Sequence, residues 1–110
     1  MTERIFNKVT KWQEETFKSM TVLSVLTHLA GKSPSGEILE LIEDIIIDSP
    51  NKKSEWADCF ILLFGAAKKD GMSYADICQC VDDKMNVNKK RKWGVPDKNG
   101  VVFHIKENGE

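Results

Sequence analysis

Ser54-Glu55-Trp56-Ala57-Asp58-Cys59-Phe60-Ile61-Leu62-Leu63-Phe64-Gly65-Ala66-Ala67-Lys68-Lys69-Asp70-Gly71 is apolar almost all the way round a helical projection. Ser54 suits an N-cap and Gly71 a C-terminal stop, which predicts a helix from Ser54 to about Lys69. A helix without a broad polar side is a buried one, so Trp56 is expected inside the core. Two acids in its first turn, Glu55 and Asp58, lie three positions apart and share a face. The helix dipole accounts for one of them. A second carboxylate on a buried helix needs a proton or a cation to offset its charge.

The same periodicity extends on both sides. Upstream, Ser33-Pro34 forms a start signal for a helix from Pro34 to about Ile47. It carries a second acidic pair, Glu37-x-x-Glu40, among Ile38, Leu39, Leu41 and Ile42. Earlier still, a short helix over Val22–Ala30 repeats leucine at 23, 26 and 29. A first helix over Glu3–Lys18 places Ile5, Val9, Trp12 and Phe17 on its inner side. Downstream, Ser73 with Asp76 three residues on makes a variant capping box for a fifth helix reaching about Lys90. Trp93-Gly-Val-Pro-Asp97 ends helical structure, and Val101–Ile105 reads as an extended arm or a single edge strand. Four or five helices with short connections make an all-α bundle with a short extended C-terminal tail, one domain over residues 1–110.

Composition narrows the function classes. The chain is 41% hydrophobic and 30% charged with net charge −1, so it lacks the basic field that non-specific binding of a nucleic-acid polymer requires. No apolar run is long enough to cross a bilayer, and Met1 to Lys18 has no uninterrupted apolar stretch of the signal-peptide kind. The three cysteines, Cys59, Cys78 and Cys80, are too few for a structural zinc site and odd in number, which fits reduced thiols in the cytoplasm.

Short loops favour antiparallel neighbours, which brings Glu37 and Glu40 opposite Glu55 and Asp58. Four clustered carboxylates form a hard-oxygen site suited to Mg²⁺ or Mn²⁺ alongside phosphates; the alternative is helix caps and surface pairs. On the fifth helix, Lys84, Asn88 and Arg91 recur at spacings of four and three, with Lys89, Lys90 and Lys92 around them. Such a face suits a polyphosphate, although cations at a helix C-terminus are also favourable in themselves. Asp83 is a further acidic candidate on that helix, beside the surface acid Asp82. His28 sits on a leucine-rich helix as a packed or capping residue.

Glu55-Trp-Ala-Asp58, Lys84-x-x-x-Asn88-x-x-Arg91-x-Trp93 and the late Asp97…His104 resemble the MazG-like all-α NTP pyrophosphohydrolases, in the branch of dATP/dGTP diphosphohydrolase N-terminal domains found in bacteria and phages. The likeness is densest from Glu55 to Ile105, with Trp12, Phe17 and His28-Leu29 matching the N-terminal part. It implies hydrolysis of a purine (deoxy)nucleoside triphosphate, such as dATP or dGTP, to monophosphate and pyrophosphate in the cytoplasm of a bacterial or phage-infected cell. It further implies Mg²⁺, with Mn²⁺ as a substitute, on Glu37, Glu40, Glu55 and Asp58, with Glu40, Glu55 and Asp58 catalytic. Lys84, Asn88 and Arg91 would hold phosphates, and Trp93 and His104 would touch the substrate. A homo-oligomer, dimer or tetramer, is expected by the same resemblance.

The chain departs from that branch at one place. His-Leu there directly precedes the first acidic pair on one continuous helix, whereas Ala30 to Gly36 intervenes here. Either the insertion is looped out or Glu37 is displaced. A displaced Glu37 would favour a nucleotide-binding protein without hydrolysis, and a plain helical interaction module stands as the third reading.

Overall fold

The computed structural model describes residues 1–31 and 36–106 and contains five helices among them: α1 (Glu3–Thr16), α2 (Val22–Ala30), α3 (Glu37–Ile46), α4 (Lys52–Lys69) and α5 (Tyr74–Lys90). The all-α expectation holds. The chain divides into two compact units, Met1–Ile77 and the part from Cys78 onward.

In the first unit α1, α2 and α3 each pack on α4, and α2 also packs on α3. The core is narrow: Phe6, Val25, Leu41, Cys59 and Ala66 are its buried apolar residues, with Thr10 and Gln13 from α1 beside them. Phe6 meets Phe64 edge-on at 5.9 Å and Tyr74 at 5.8 Å between ring centroids. Two sequence expectations are overturned here. The buried side of α1 is Phe6, Thr10 and Gln13, while Ile5, Trp12 and Phe17 stand exposed. The cause is polar: Gln13 Nε2 donates to the Ile61 carbonyl at 2.9 Å, which turns the Gln13 side of the helix inward. Nor is α4 buried all round, since Trp56, Phe60 and Leu63 form an outward stripe in which Trp56 and Phe60 stack at 6.2 Å.

Helix ends differ from expectation at two places. Ser33 and Pro34, read as a start signal, lie outside the described residues; α3 begins at Glu37, with Gly36 as an N-cap that offers no side-chain hydrogen bond. The start of α4 falls at Lys52 rather than after Ser54, because Asn51 already has helical backbone angles. The preceding turn is held by Ser49, whose Oγ accepts from the Asn51 N–H at 3.1 Å, and by an ion pair between Asp48 and Lys52. Asp48 has φ of 51°, the left-handed conformation that aspartate tolerates better than most residues. The Ser73 cap of α5 forms as expected. Ser73 Oγ accepts from the Asp76 N–H at 3.1 Å, and Asp76 Oδ2 accepts from the Ser73 N–H at 2.9 Å.

In the second unit, the helical residues of α5 run on to Lys90, and none of them is buried. Beyond it the chain doubles back. Trp93 and His104 form an antiparallel bridge, Gly94 N–H donates to the Phe103 carbonyl at 2.9 Å, and Asp97 Oδ1 accepts from the N–H groups of Asn99 and Val101. The tail is therefore a short extended arm with one bridge, and no strand is formed among the described residues.

Candidate functional site

α3 and α4 bring their acids together. Single carboxylate oxygens of Glu37, Glu55 and Asp58 all lie within 4.8 Å of one another. Glu40 is not in that converging trio, but its negative charge acts on Glu37. Each pair is spaced three apart on its helix, so one face of α3 and one face of α4 present both members.

The electrostatics are those of crowded negative charge. Burial, then the neighbouring Glu40, then Asp58, push the Glu37 carboxyl above its ordinary value, against a lowering pull from His28. Loss of hydration, followed by Glu40, Asp44 and Asp58, raises Glu55. The neighbouring Cys59 thiol is raised by burial first and then by the same acids, which makes it a poor nucleophile.

Asp44 is the residue that sequence reasoning missed. It continues the Glu37/Glu40 face at the next i+4 step, and that spacing was the available signal.

The trio fits a divalent cation on two observations. Glu37 Oε2 and Glu55 Oε2 are buried without a hydrogen-bond partner, and an acceptor in that state is costly unless something positive reaches it. The donors are all carboxylate oxygens, the preference of Mg²⁺ and Mn²⁺.

A cavity of about 460 Å³ opens beside the trio, within the range of small-molecule sites. Glu37 and Asp58 form part of its wall, and Trp12, Phe17, Val25 and Ile61 supply apolar and aromatic surface. His28 joins that wall, with its Nε2 3.3 Å from Glu37 Oε1. With the insertion in place, Glu37 still stands beside Glu55 and Asp58. A Cβ placed on Gly36 would stand 2.4 Å from the Gly31 Cα, so the chain returns at Gly36 to the point it left at Gly31.

The basic candidates belong to the second unit. Lys84 is exposed, Asn88 and Arg91 are half-buried, and Arg91 falls just past the end of α5, where its N–H donates to the Asn88 carbonyl at 3.2 Å. The Trp93 indole also donates to that carbonyl at 3.0 Å and meets the His104 ring edge-on at 6.0 Å. Asp83 accepts from Gln79 at 2.8 Å on the exposed surface.

Five helices with two facing acidic pairs define the class, and comparison with known proteins agrees. The fold matches that of a cyanophage S-2L MazG-like pyrophosphohydrolase bound to dGDP and three catalytic Mn²⁺ ions per active site. The TM-score is 0.73 over 98% of this chain and 97% of that one, at 22% identity. The model of the dATP/dGTP pyrophosphohydrolase family matches residues 5–110, and the chain belongs to that family of hydrolases. A 61-residue stretch is 36% identical to the Eaa protein of Salmonella phage P22, taking in 56% of this chain and 19% of that protein. The matched segment thus spans about a fifth of that relative's length. Among the described residues, no helix is long and apolar enough to cross a membrane.

Proposed function

We propose that this chain hydrolyses a purine deoxynucleoside triphosphate, such as dATP or dGTP, to the monophosphate and pyrophosphate with Mg²⁺ or Mn²⁺. One observation carries the reading: the trio Glu37, Glu55 and Asp58 converges at the wall of a nucleoside-sized cavity. The family supplies the reaction, and the neighbour's dGDP and Mn²⁺ support the ligand classes.

Glu37, Glu55 and Asp58, with Glu40 beside them, would hold the metal. When bound, a divalent cation neutralises phosphate oxygens and the charge that builds on departing pyrophosphate. The aromatic and aliphatic wall around Trp12 and Phe17 would take the base and sugar and exclude water from them. Glu40, one turn along α3 from Glu37 and electrostatically coupled to it, would orient the attacking water and accept its proton. Water then adds across the α–β anhydride: its oxygen stays on one phosphorus, the bridging bond breaks, and pyrophosphate leaves. Lys84, Asn88 and Arg91 would hold phosphates by motif match, and Trp93 and His104 would contact substrate. The whole chain is read as one MazG-like domain acting inside a cell.

A homo-oligomer is part of this reading. Ile38, Ile42 and Ile45 on α3, and Trp56, Phe60 and Leu63 on α4, each recur at helical spacing and are 39–51% exposed. Two apolar stripes on a chain with so small a core favour burial against a second copy. Sedimentation velocity of the wild type and Phe60→Glu tests this: dissociation of the variant is expected, and a monomeric wild type would refute it.

The enzyme reading is tested with dNTPs, Mg²⁺ and chromatographic resolution of products, with Asp58→Asn in parallel. Monophosphate and pyrophosphate should appear, and the variant should lose at least about 100-fold in rate, since even outer partners of metal ligands cost 10–100-fold. Metal binding without turnover of any nucleotide would leave a binding protein.

A further inference from the structure

His28 reaches the acidic trio from α2, a different helix than those that carry the acids. Its Nε2 lies 3.3 Å from Glu37 Oε1, although nine positions separate the two residues in the sequence. On an unbroken helix this contact belongs to residues four apart. Here it exists because the chain leaves at Gly31 and comes back to the same point at Gly36. The two oxygens of Glu37 consequently have different surroundings. Oε1 faces the imidazole, while Oε2 is buried with no hydrogen-bond partner, on the carboxylate that joins Glu55 and Asp58.

We propose that His28 is a positioning residue for the metal site, holding Glu37 by Oε1 so that Oε2 is aimed at the cation shared with Glu55 and Asp58. The inference rests on the reading of the trio as a metal centre. The physical argument is one of order. A glutamate has three side-chain torsions to fix, and a carboxylate among like charges is driven to swing away from them. An N–H donor on one oxygen opposes both, because it restricts rotation and withdraws part of the negative charge. Either the neutral ring with its proton on Nε2 or the charged ring supplies that donor. Partners that orient ligating carboxylates in this way typically contribute 10–100-fold to metal affinity. The His28 side chain is 61% exposed, so its removal leaves the core intact.

The test is Mn²⁺ binding to the full chain without nucleotide, read from the electron paramagnetic resonance signal of free Mn²⁺. His28→Ala should raise the dissociation constant by about 10–100-fold. His28→Gln, which keeps an N–H donor, should recover most of the loss. In a Glu37→Gln background, His28→Ala should change affinity less than about twofold, because the group it positions is gone. Unchanged Mn²⁺ affinity in His28→Ala overturns the proposal, and so does a loss that persists undiminished in the Glu37→Gln background. A wild type that binds no Mn²⁺ overturns it together with the metal reading. A wild type that binds Mn²⁺ yet hydrolyses nothing leaves the His28 result readable and removes only the activity.

Discussion

Gly31 and Gly36 lie against each other so closely that a Cβ on Gly36 would be 2.4 Å from the Gly31 Cα and 2.5 Å from its nitrogen. Both obstacles are backbone, so no side-chain rotation can make room. Gly36→Ala must therefore part the end of α2 from the start of α3. The expected cost is that of overpacking, about 1–3 kcal/mol. Glu37 follows Gly36 directly, so the same variant should also weaken Mn²⁺ binding. Chemical denaturation with a parallel Mn²⁺ titration checks both effects; a stable variant with weakened metal binding would separate them.

Gln13 and Gly65 are a second coupled pair, in the core. A Cβ on Gly65 would sit 2.4 Å from Gln13 Oε1, while Gln13 Nε2 donates to the Ile61 carbonyl. Gly65→Ala alone should destabilise by about 1–3 kcal/mol, by displacing a buried amide from its partner. In a Gln13→Ala background the obstruction is absent, and the same change should stabilise by up to about 1 kcal/mol through helix propensity. A double-mutant cycle on urea midpoints measures this reversal of sign. Additive effects would mean that the amide does not hold α1 on α4.

The α1 result shows where a reading of apolar periodicity stops. Helix existence was legible throughout, and α2 and the Ser73 start of α5 fell where caps and spacing put them, because those signals are local. The inward face of α1 depends on a hydrogen bond across 48 positions between Gln13 and Ile61, and no local pattern carries that. Apolar Ile5 and Trp12 read as core because the pattern cannot tell a core from a cavity wall, and both residues line cavities. The two acidic pairs were legible as pairs, and three of their four members, Glu37, Glu55 and Asp58, come to one point. The exposed stripe of α4 was not, since an apolar face open to solvent reads the same as a buried one.

Asp44 enters at that limit. Its charge raises the Glu55 carboxyl, so it stands near enough to act on a cation held there. Asp44→Asn should weaken Mn²⁺ binding about three- to tenfold, the effect of one charge in a partly hydrated site. Asp82→Asn, exposed on α5, should leave it unchanged. Wild-type protein at a metal concentration of 100 Kd should gain about 2.7 kcal/mol over protein in EDTA, a rise in melting temperature on the order of 10 °C. Equal Mn²⁺ affinity in Asp44→Asn and wild type would place Asp44 outside the site.

The start of α5 makes a prediction about pH that is independent of the acidic cluster. Asp76 is held below its ordinary carboxyl value of 3.8 by the Ser73 backbone N–H and then by the Ser73 side chain. A carboxyl depressed in the folded state binds its proton more weakly there than in the unfolded chain. Its contribution is therefore fully present above the ordinary value and is lost as pH falls through the folded one. Stability measured from about pH 5 to pH 2 should thus fall more steeply in the wild type than in Asp76→Asn, which has no proton to take up. Subtracting the two curves removes the titration of the other acids, which both proteins share. At neutral pH, Ser73→Ala should cost about 1 kcal/mol, the usual value of a lost helix cap. Parallel pH curves for Asp76→Asn and wild type would show that the carboxylate caps α5 no better than an amide does.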